Sequence, residues 1–284
     1  MTPAAIRRGF VDVGDGQVHY RVAGPPPGAP HGTPLVMLHP SPGSSKMLEP
    51  LIRLFAQTRR VIAPDTLGNG DSAVPDGTDP ALAVFVDGHQ RALDALGVER
   101  FDLYGSHTGG NIACEIAIAW PTRVRRLILD GMSLYADDER DDMLRHYALP
   151  IVPDEFGSQL DRVWSFVRDA YLFWPWYKRD AAHRRDVGLP SADALHDKVV
   201  EVLKAVRTYH LSYRAAIGYD KRPRLPLVTT PTLLACARND MLLRYLDGVR
   251  ALMPRAETLV TPGLATEAAA AETIRAMSAF LDRA

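Results

Sequence analysis

Between Leu35 and Asp130 the chain repeats one pattern: a short apolar run, a polar or glycine-rich loop, then apolar residues at helical spacing. The runs are Leu35-Val36-Met37-Leu38-His39, Arg60-Val61-Ile62-Ala63-Pro64, Phe101-Asp102-Leu103-Tyr104 and Val124 to Leu129. The helical spacing falls on Met47 to Ala56, Ala81 to Leu96 and Asn111 to Trp120. Continuous apolar runs of this length are strands buried on both faces, as in a parallel sheet. Parallel neighbours require crossovers long enough to hold a helix, and right-handed crossovers close one sheet. The pattern resumes with a strand at Thr232 to Ala237, a helix at Met241 to Leu252, a strand at Glu257 to Thr261 and an Ala-rich helix from Thr266 to Leu281. Upstream, Val11 to Val22 alternates around Gly14-Asp15-Gly16, which predicts two strands and a tight turn. Gly24 to Pro34 is rich in Pro and Gly and predicts a loop. The fold class expected is α/β, a mostly parallel doubly wound sheet.

The interval 132–228 breaks this rhythm. It opens on the acidic stretch Asp137 to Asp142, expected to be a solvated helix start, and it holds Trp164, Trp174 and Trp176. A helical insertion is the expected reading, leaving 1–131 and 229–284 as the core domain. The 33 Lys and Arg against 34 Asp and Glu give a net charge of -1, without the basic excess of a nucleic-acid binder. Cys114 and Cys236 are too few for a disulfide framework or a multi-Cys zinc site, and a reducing cytoplasm is expected. Met1 to Val13 lacks the apolar segment of a signal peptide, and no apolar stretch is long enough to span a membrane. No metal constellation stands out, because no helical His spacing brings His39, His107 and an Asp together. No cofactor is expected; a homodimer is compatible with the sequence.

The chemistry concentrates at Tyr104-Gly105-Ser106-His107-Thr108-Gly109-Gly110, between a strand and a helix. The segment resembles the nucleophile elbow of the α/β-hydrolase superfamily, G-x-Nuc-x-G. Residues two before and two after the elbow residue must be small for strand and helix to approach. Gly105 and Gly109 fill those places, so His107 is the elbow residue. The Ser106 register would put Tyr104 and Thr108 there, and both are too large. Leu38-His39-Pro40-Ser41-Pro42-Gly43 is similar to the family's H-G-x-x-G oxyanion loop, and Asp65-Thr66-Leu67-Gly68-Asn69-Gly70-Asp71-Ser72 to its D-x-x-G-x-G-x-S loop. Asp240 stands where the family places its triad acid, and the insertion matches its helical lid. The resemblance implies the α/β-hydrolase fold over nearly the whole chain.

Two positions depart from the family's pattern. His107 replaces Ser, Cys or Asp, and Gly263-Leu264 stands where a catalytic His is expected; no His follows His210. A Ser-His-Asp relay is therefore not expected. Under the resemblance, His107 is the general base, and the amides of Ser41 and Thr108 form the oxyanion hole despite Pro40. A helix N-terminus disfavours imidazolium, so His107 is expected to be neutral near pH 7. Asp240 or Asp130 orients it. Asp240 was placed to reach the last loop, which leaves open a water bridge or Asp130 as the partner. His39, Ser106, Trp174 and Tyr177 are the expected pocket residues, His39 bonding either loop backbone or substrate; most aromatics of Tyr171 to Tyr177 are expected to dock the lid, and the one or two facing the pocket point to a small apolar or aromatic substrate. Asp65 is expected to organise its own turn. The expected function is cofactor-independent hydrolysis of an ester, lactone or C-C bond. A lyase, isomerase or cyclase using the same base, and a non-catalytic binder on a decayed scaffold, remain the alternatives.

Overall fold

A computed structural model describes residues 5–14, 16–25 and 32–283. The tip of the turn expected at Gly14-Asp15-Gly16, Asp15, and most of the loop expected from Gly24 to Pro34 lie outside the described residues. Strands β1 (Arg7–Asp12) and β2 (Gln17–Ala23) pair antiparallel across that turn. They are followed by β3 (Gly32–Leu38), α1 (Glu49–Phe55), β4 (Arg59–Pro64), α2 (Leu82–Ala95), β5 (Phe101–Ser106), α3 (Thr108–Ala119) and β6 (Val124–Asp130). Helices α4 (Asp137–His146), α5 (Ser158–Leu172), α6 (Ala192–Lys204) and α7 (Tyr209–Gly218) come next, then β7 (Thr232–Ala237), α8 (Leu246–Leu252), β8 (Glu257–Thr261) and α9 (Glu267–Leu281). The loop expected to run to Pro34 ends earlier, because β3 already pairs with β4 at Gly32.

Among the described residues the strands form one sheet in the order β1-β2-β4-β3-β5-β6-β7-β8. All pairs from β4 onward are parallel; β2 runs antiparallel to both of its neighbours. Leu35, Val36, Met37 and Leu38 are fully buried, with Val36 and Leu38 in one apolar cluster and Leu35 and Met37 in the other. A strand whose alternate residues enter two cores has no polar face, which is why its sequence does not alternate. Every parallel strand therefore ends at one edge of the sheet, where open α/β sheets bind ligands.

The helices between β6 and β7 close over that edge. Their own cluster holds Tyr147, Val163, Phe166, Leu195 and Val202. Helix α7 belongs to both layers: Leu211 and Ala216 join the sheet's core, while Tyr209 and Ile217 join the inserted one. Asp137, Asp138 and Glu139 fill the first turn of α4, where carboxylates complement the helix dipole. Among the described residues no helix is long and apolar enough to cross a membrane.

Candidate active site

Strand β5 passes into α3 through a single residue, His107, at φ 51 and ψ −108. It is the one non-glycine residue with positive φ among those described. A side chain at Gly105 would place Cβ 2.3 Å from the Gly109 carbonyl oxygen, and one at Gly109 would place it 2.3 Å from the Leu38 oxygen. Both distances are far inside van der Waals contact, so only glycine lets β5, α3 and the end of β3 approach this closely. The turn is held by the His107 N–H donating to the Asp130 carbonyl at 2.9 Å. Ser106 remains in β5, in register with Asp130, and does not line the cleft described below.

The His107 ring meets Asp240 directly: Nε2 lies 2.8 Å from Oδ2. Neither a water bridge nor Asp130 is needed. The other Asp240 oxygen accepts from the Leu242 N–H at 2.8 Å, which fixes the carboxylate on the loop after β7. Space for the ring comes from Gly131, where a Cβ would fall 2.5 Å from His107 Cδ2. The Asp130 side chain accepts instead from the Tyr104 hydroxyl at 2.6 Å, so it contributes charge near His107 rather than a bond to it. Burial pushes the Asp130 carboxyl above its usual range, against the Tyr104 bond and the charge of His107.

These contacts work against the depression of imidazolium expected at a helix N-terminus. Burial lowers its pKa, but the charge and hydrogen bond of Asp240 outweigh burial, and the net shift is upward from 6.5. Asp240 moves the other way: burial raises its pKa, while the charge and hydrogen bond of His107 more than offset this. Each charge stabilises the other. The dipole at the N-terminus of α3 acts on His107 in the same direction as burial.

Of the two roles open to His39, bonding loop backbone or substrate, the structure shows the first. Its ring is fully buried; Nδ1 donates to the Pro40 carbonyl at 2.9 Å, and Nε2 accepts from the Thr66 N–H at 2.9 Å. Burial lowers its pKa, and a neutral ring satisfies both bonds. It ties the loop after β3 to the loop after β4. Asp65 organises that second loop, accepting from the Ser45 N–H at 2.7 Å, the Asp71 N–H at 3.2 Å and His19 Nδ1 at 2.8 Å. His19, Asp65 and Asp71 are close enough to surround a cation, but Asp65 is engaged in these bonds and Asp71 also pairs with Lys204 at 2.8 Å.

Ser41 is buried on the loop after β3. Its hydroxyl lies 3.0 Å from that of Ser212 in α7, which also accepts from Asn69 Nδ2 at 3.0 Å. Lys198 of α6 donates to the Pro42 carbonyl, and Ser44 to Glu201. The inserted helices thus hold this loop against the elbow. Thr108 is the first residue of α3, where backbone N–H groups have no intrahelical acceptor.

A narrow cleft lies over the elbow, lined by His107, Thr108 and Asn111 below and Ser133, Tyr135, Trp174, Tyr213, Ala216, Ile217 and Leu242 around. Its free volume is about 30 Å³, room for about two water molecules. Trp174 lines it. Tyr177 does not: its hydroxyl donates to Asp142 Oδ2 at 2.8 Å and its ring packs on Tyr147 and Trp176, inside the inserted layer. Asn111, Ser133, Tyr135, Tyr213 and Gly131 escaped sequence reasoning. Asn111 could have been found as the residue one helical turn beyond His107. Both cysteines are buried, and burial raises the Cys114 thiol to about 12. The loop after β8 carries Gly263 at φ +82 and the exposed Leu264, with no imidazole to intervene between Asp240 and His107.

A sequence model of the alpha/beta hydrolase fold matches residues 33–263. Among curated proteins, 103 residues are 45% identical to a 2-hydroxymuconate semialdehyde hydrolase from Pseudomonas sp. (strain CF600), covering 35% of this chain and 36% of that one. A stretch of the same length is 38% identical to a 2-hydroxy-6-oxo-2,4-heptadienoate hydrolase from Pseudomonas putida, covering 35% and 37%. The matches thus span little more than a third of these relatives' lengths. A solved bromoperoxidase from Bacillus anthracis superposes with a TM-score of 0.76 at 19% identity, over 98% of this chain and 100% of that one, a likeness of fold alone.

Proposed function

Since the chain belongs to the α/β hydrolase fold family, we propose that it is a hydrolase of a small carbonyl compound in which His107 acts as general base without a serine nucleophile. The inserted helices serve as its lid. The observation that carries this reading is the 2.8 Å contact of His107 Nε2 with Asp240, made from the positive-φ turn of the elbow. With Nε2–H donated to Asp240, Nδ1 is left to take a proton. A water adds its oxygen to the carbonyl carbon while Nδ1 removes one of its protons. The resulting oxyanion accepts from the N–H groups of Thr108 and Ser41. Collapse breaks the bond to the leaving group, which takes the proton back from the imidazolium. Proton transfer of this kind contributes about 10²–10⁴-fold. An oxyanion donor contributes about 2.7–4 kcal/mol. Trp174, Tyr135, Tyr213, Ile217 and Leu242 favour an apolar or aromatic substrate, which the cleft of about 30 Å³ admits only by widening between the inserted helices and the sheet. The names of the two Pseudomonas relatives favour a hydroxylated, unsaturated semialdehyde or oxo acid as substrate.

The test pairs the wild-type protein with His107→Ala on p-nitrophenyl esters, small lactones and a 2-hydroxymuconate semialdehyde, with fluorophosphonate labelling and ¹⁸O-water in parallel. Turnover is expected to fall by about 10²-fold or more in the variant, with ¹⁸O in the acid product and no labelled serine. Turnover that depends on His107 but incorporates no ¹⁸O means a lyase or isomerase. Labelling of Ser106 would overturn the His107 assignment, and ligand binding without turnover in either protein would mean a binder.

A further inference from the structure

Of the side chains lining the cleft, Asn111 alone has a buried polar atom without a hydrogen-bond partner among the described residues, its Oδ1. The residue is 4% exposed. Its Nδ2 makes one long contact, 3.5 Å to the Ala216 carbonyl of α7. Its backbone N–H donates to the His107 carbonyl at 3.2 Å, so it sits one turn of α3 beyond the elbow residue. Unsatisfied buried acceptors are costly and uncommon in folded proteins, and one in a site wall calls for a partner that arrives with the ligand. An amide oxygen only accepts, so that partner is a donor. The same cleft is lined by the aromatic side chains of Tyr135, Trp174 and Tyr213.

We propose that Asn111 is a specificity-determining residue whose Oδ1 accepts a hydrogen bond from a hydroxyl or N–H of the substrate. Residues one turn apart on a helix face are separated by about 5–6 Å. The substrate class is therefore an aromatic or conjugated carbonyl compound with such a donor at about that distance from the carbonyl carbon. The placement of that carbonyl over His107 rests on the general-base reading; the donor preference itself does not. A site built to bond a substrate hydroxyl discriminates strongly against the analogue lacking it, because its own polar group is then left unpaired.

The experiment measures binding of two unreactive ketones, 3-hydroxyacetophenone and 3-methoxyacetophenone, by calorimetry. Wild-type protein, Asn111→Leu and Asn111→Asp are compared. Wild type is expected to favour the hydroxyl ketone by roughly tenfold or more. Asn111→Leu is expected to bind both within about twofold and Asn111→Asp, which keeps an acceptor, to retain the preference. Equal affinities in the wild type, a preference that persists in Asn111→Leu, or failure of either ketone to bind would overturn the assignment. Thermal melting checks that Asn111→Leu folds, and Asn111→Ala replaces it if it does not. In parallel, 3-hydroxyphenyl and 3-methoxyphenyl acetate are assayed with wild type and His107→Ala. If ester turnover is independent of His107 while the ketones are still discriminated, the base reading fails and the Asn111 assignment stands.

Discussion

At the scale of single residues, burial and the Asp240 carboxylate pull the His107 ring in opposite directions, and the carboxylate prevails. The sign of the pH dependence follows. The base form of His107 is populated only above its raised pKa, so kcat/KM should rise with pH through one group titrating above 6.5. Asp240→Asn removes the carboxylate and leaves the burial, so the midpoint should move below 6.5, with a plateau about 10²-fold lower. A pH–rate profile of both proteins checks this; an unmoved midpoint would separate Asp240 from His107. The same pair contributes to stability. The His107 part is fully present below about 6.5 and is lost as pH rises through the folded pKa. The Asp240 part is lost as pH falls through that group's lowered pKa. With the side chains 30% and 17% exposed, screening keeps the total on the order of 1 kcal/mol.

Among the elements, the sharp passage from β5 to α3 sets the positions of His107, Thr108 and Asn111. It exists because Gly105, Gly109 and the end of β3 leave no room for a Cβ. In Gly109→Ala the new atom would meet the Leu38 oxygen at 2.3 Å and the His39 oxygen at 2.7 Å, all backbone. Backbone cannot rotate aside as a side chain does. The variant should lose about 2–3 kcal/mol in urea unfolding, with activity falling further as the elbow shifts. A stability within about 0.5 kcal/mol of wild type would contradict the packing described. The loop after β3 depends on other elements in turn: His39 bonds it to Thr66, and Ser212 of α7 bonds it through Ser41. The position of the Ser41 loop is therefore set jointly by the sheet and by the inserted helices.

Across the whole molecule, the edge of the sheet away from the site carries its own buried charge network. Asp102 is fully buried at the start of β5, 2.8 Å from Arg125 and 3.4 Å from Arg59; Arg59 reaches Asp282 at 2.5 Å and Arg125 the Arg283 carbonyl at 3.0 Å. Asp102→Ala would leave two guanidinium groups without their shared carboxylate, at a cost of about 3–5 kcal/mol. A calorimetric melt should show this loss while kcat/KM of the folded fraction stays unchanged; a coupled loss of activity would mean that the network reaches the site. The division between sequence and structure follows the same scales. Continuous apolar runs such as Leu35 to Leu38 have one physical solution, a strand covered on both faces, so the sheet and its helices were legible in the chain. The elbow register was legible too, because the small residues two before and two after the turn, Gly105 and Gly109, stand at a fixed spacing in the chain. Contacts between residues far apart in the chain follow no such rule. That Asp240, 133 positions from His107, bonds it directly, that His39 turns inward to the Thr66 amide, and that Tyr177 faces Asp142 rather than the cleft were decided by how the layers pack. Sequence determined which elements form and which residue occupies the elbow. Tertiary structure determined the partner of its imidazole and hence the direction of its pKa shift, because charge and burial depend on three-dimensional neighbours that no spacing encodes.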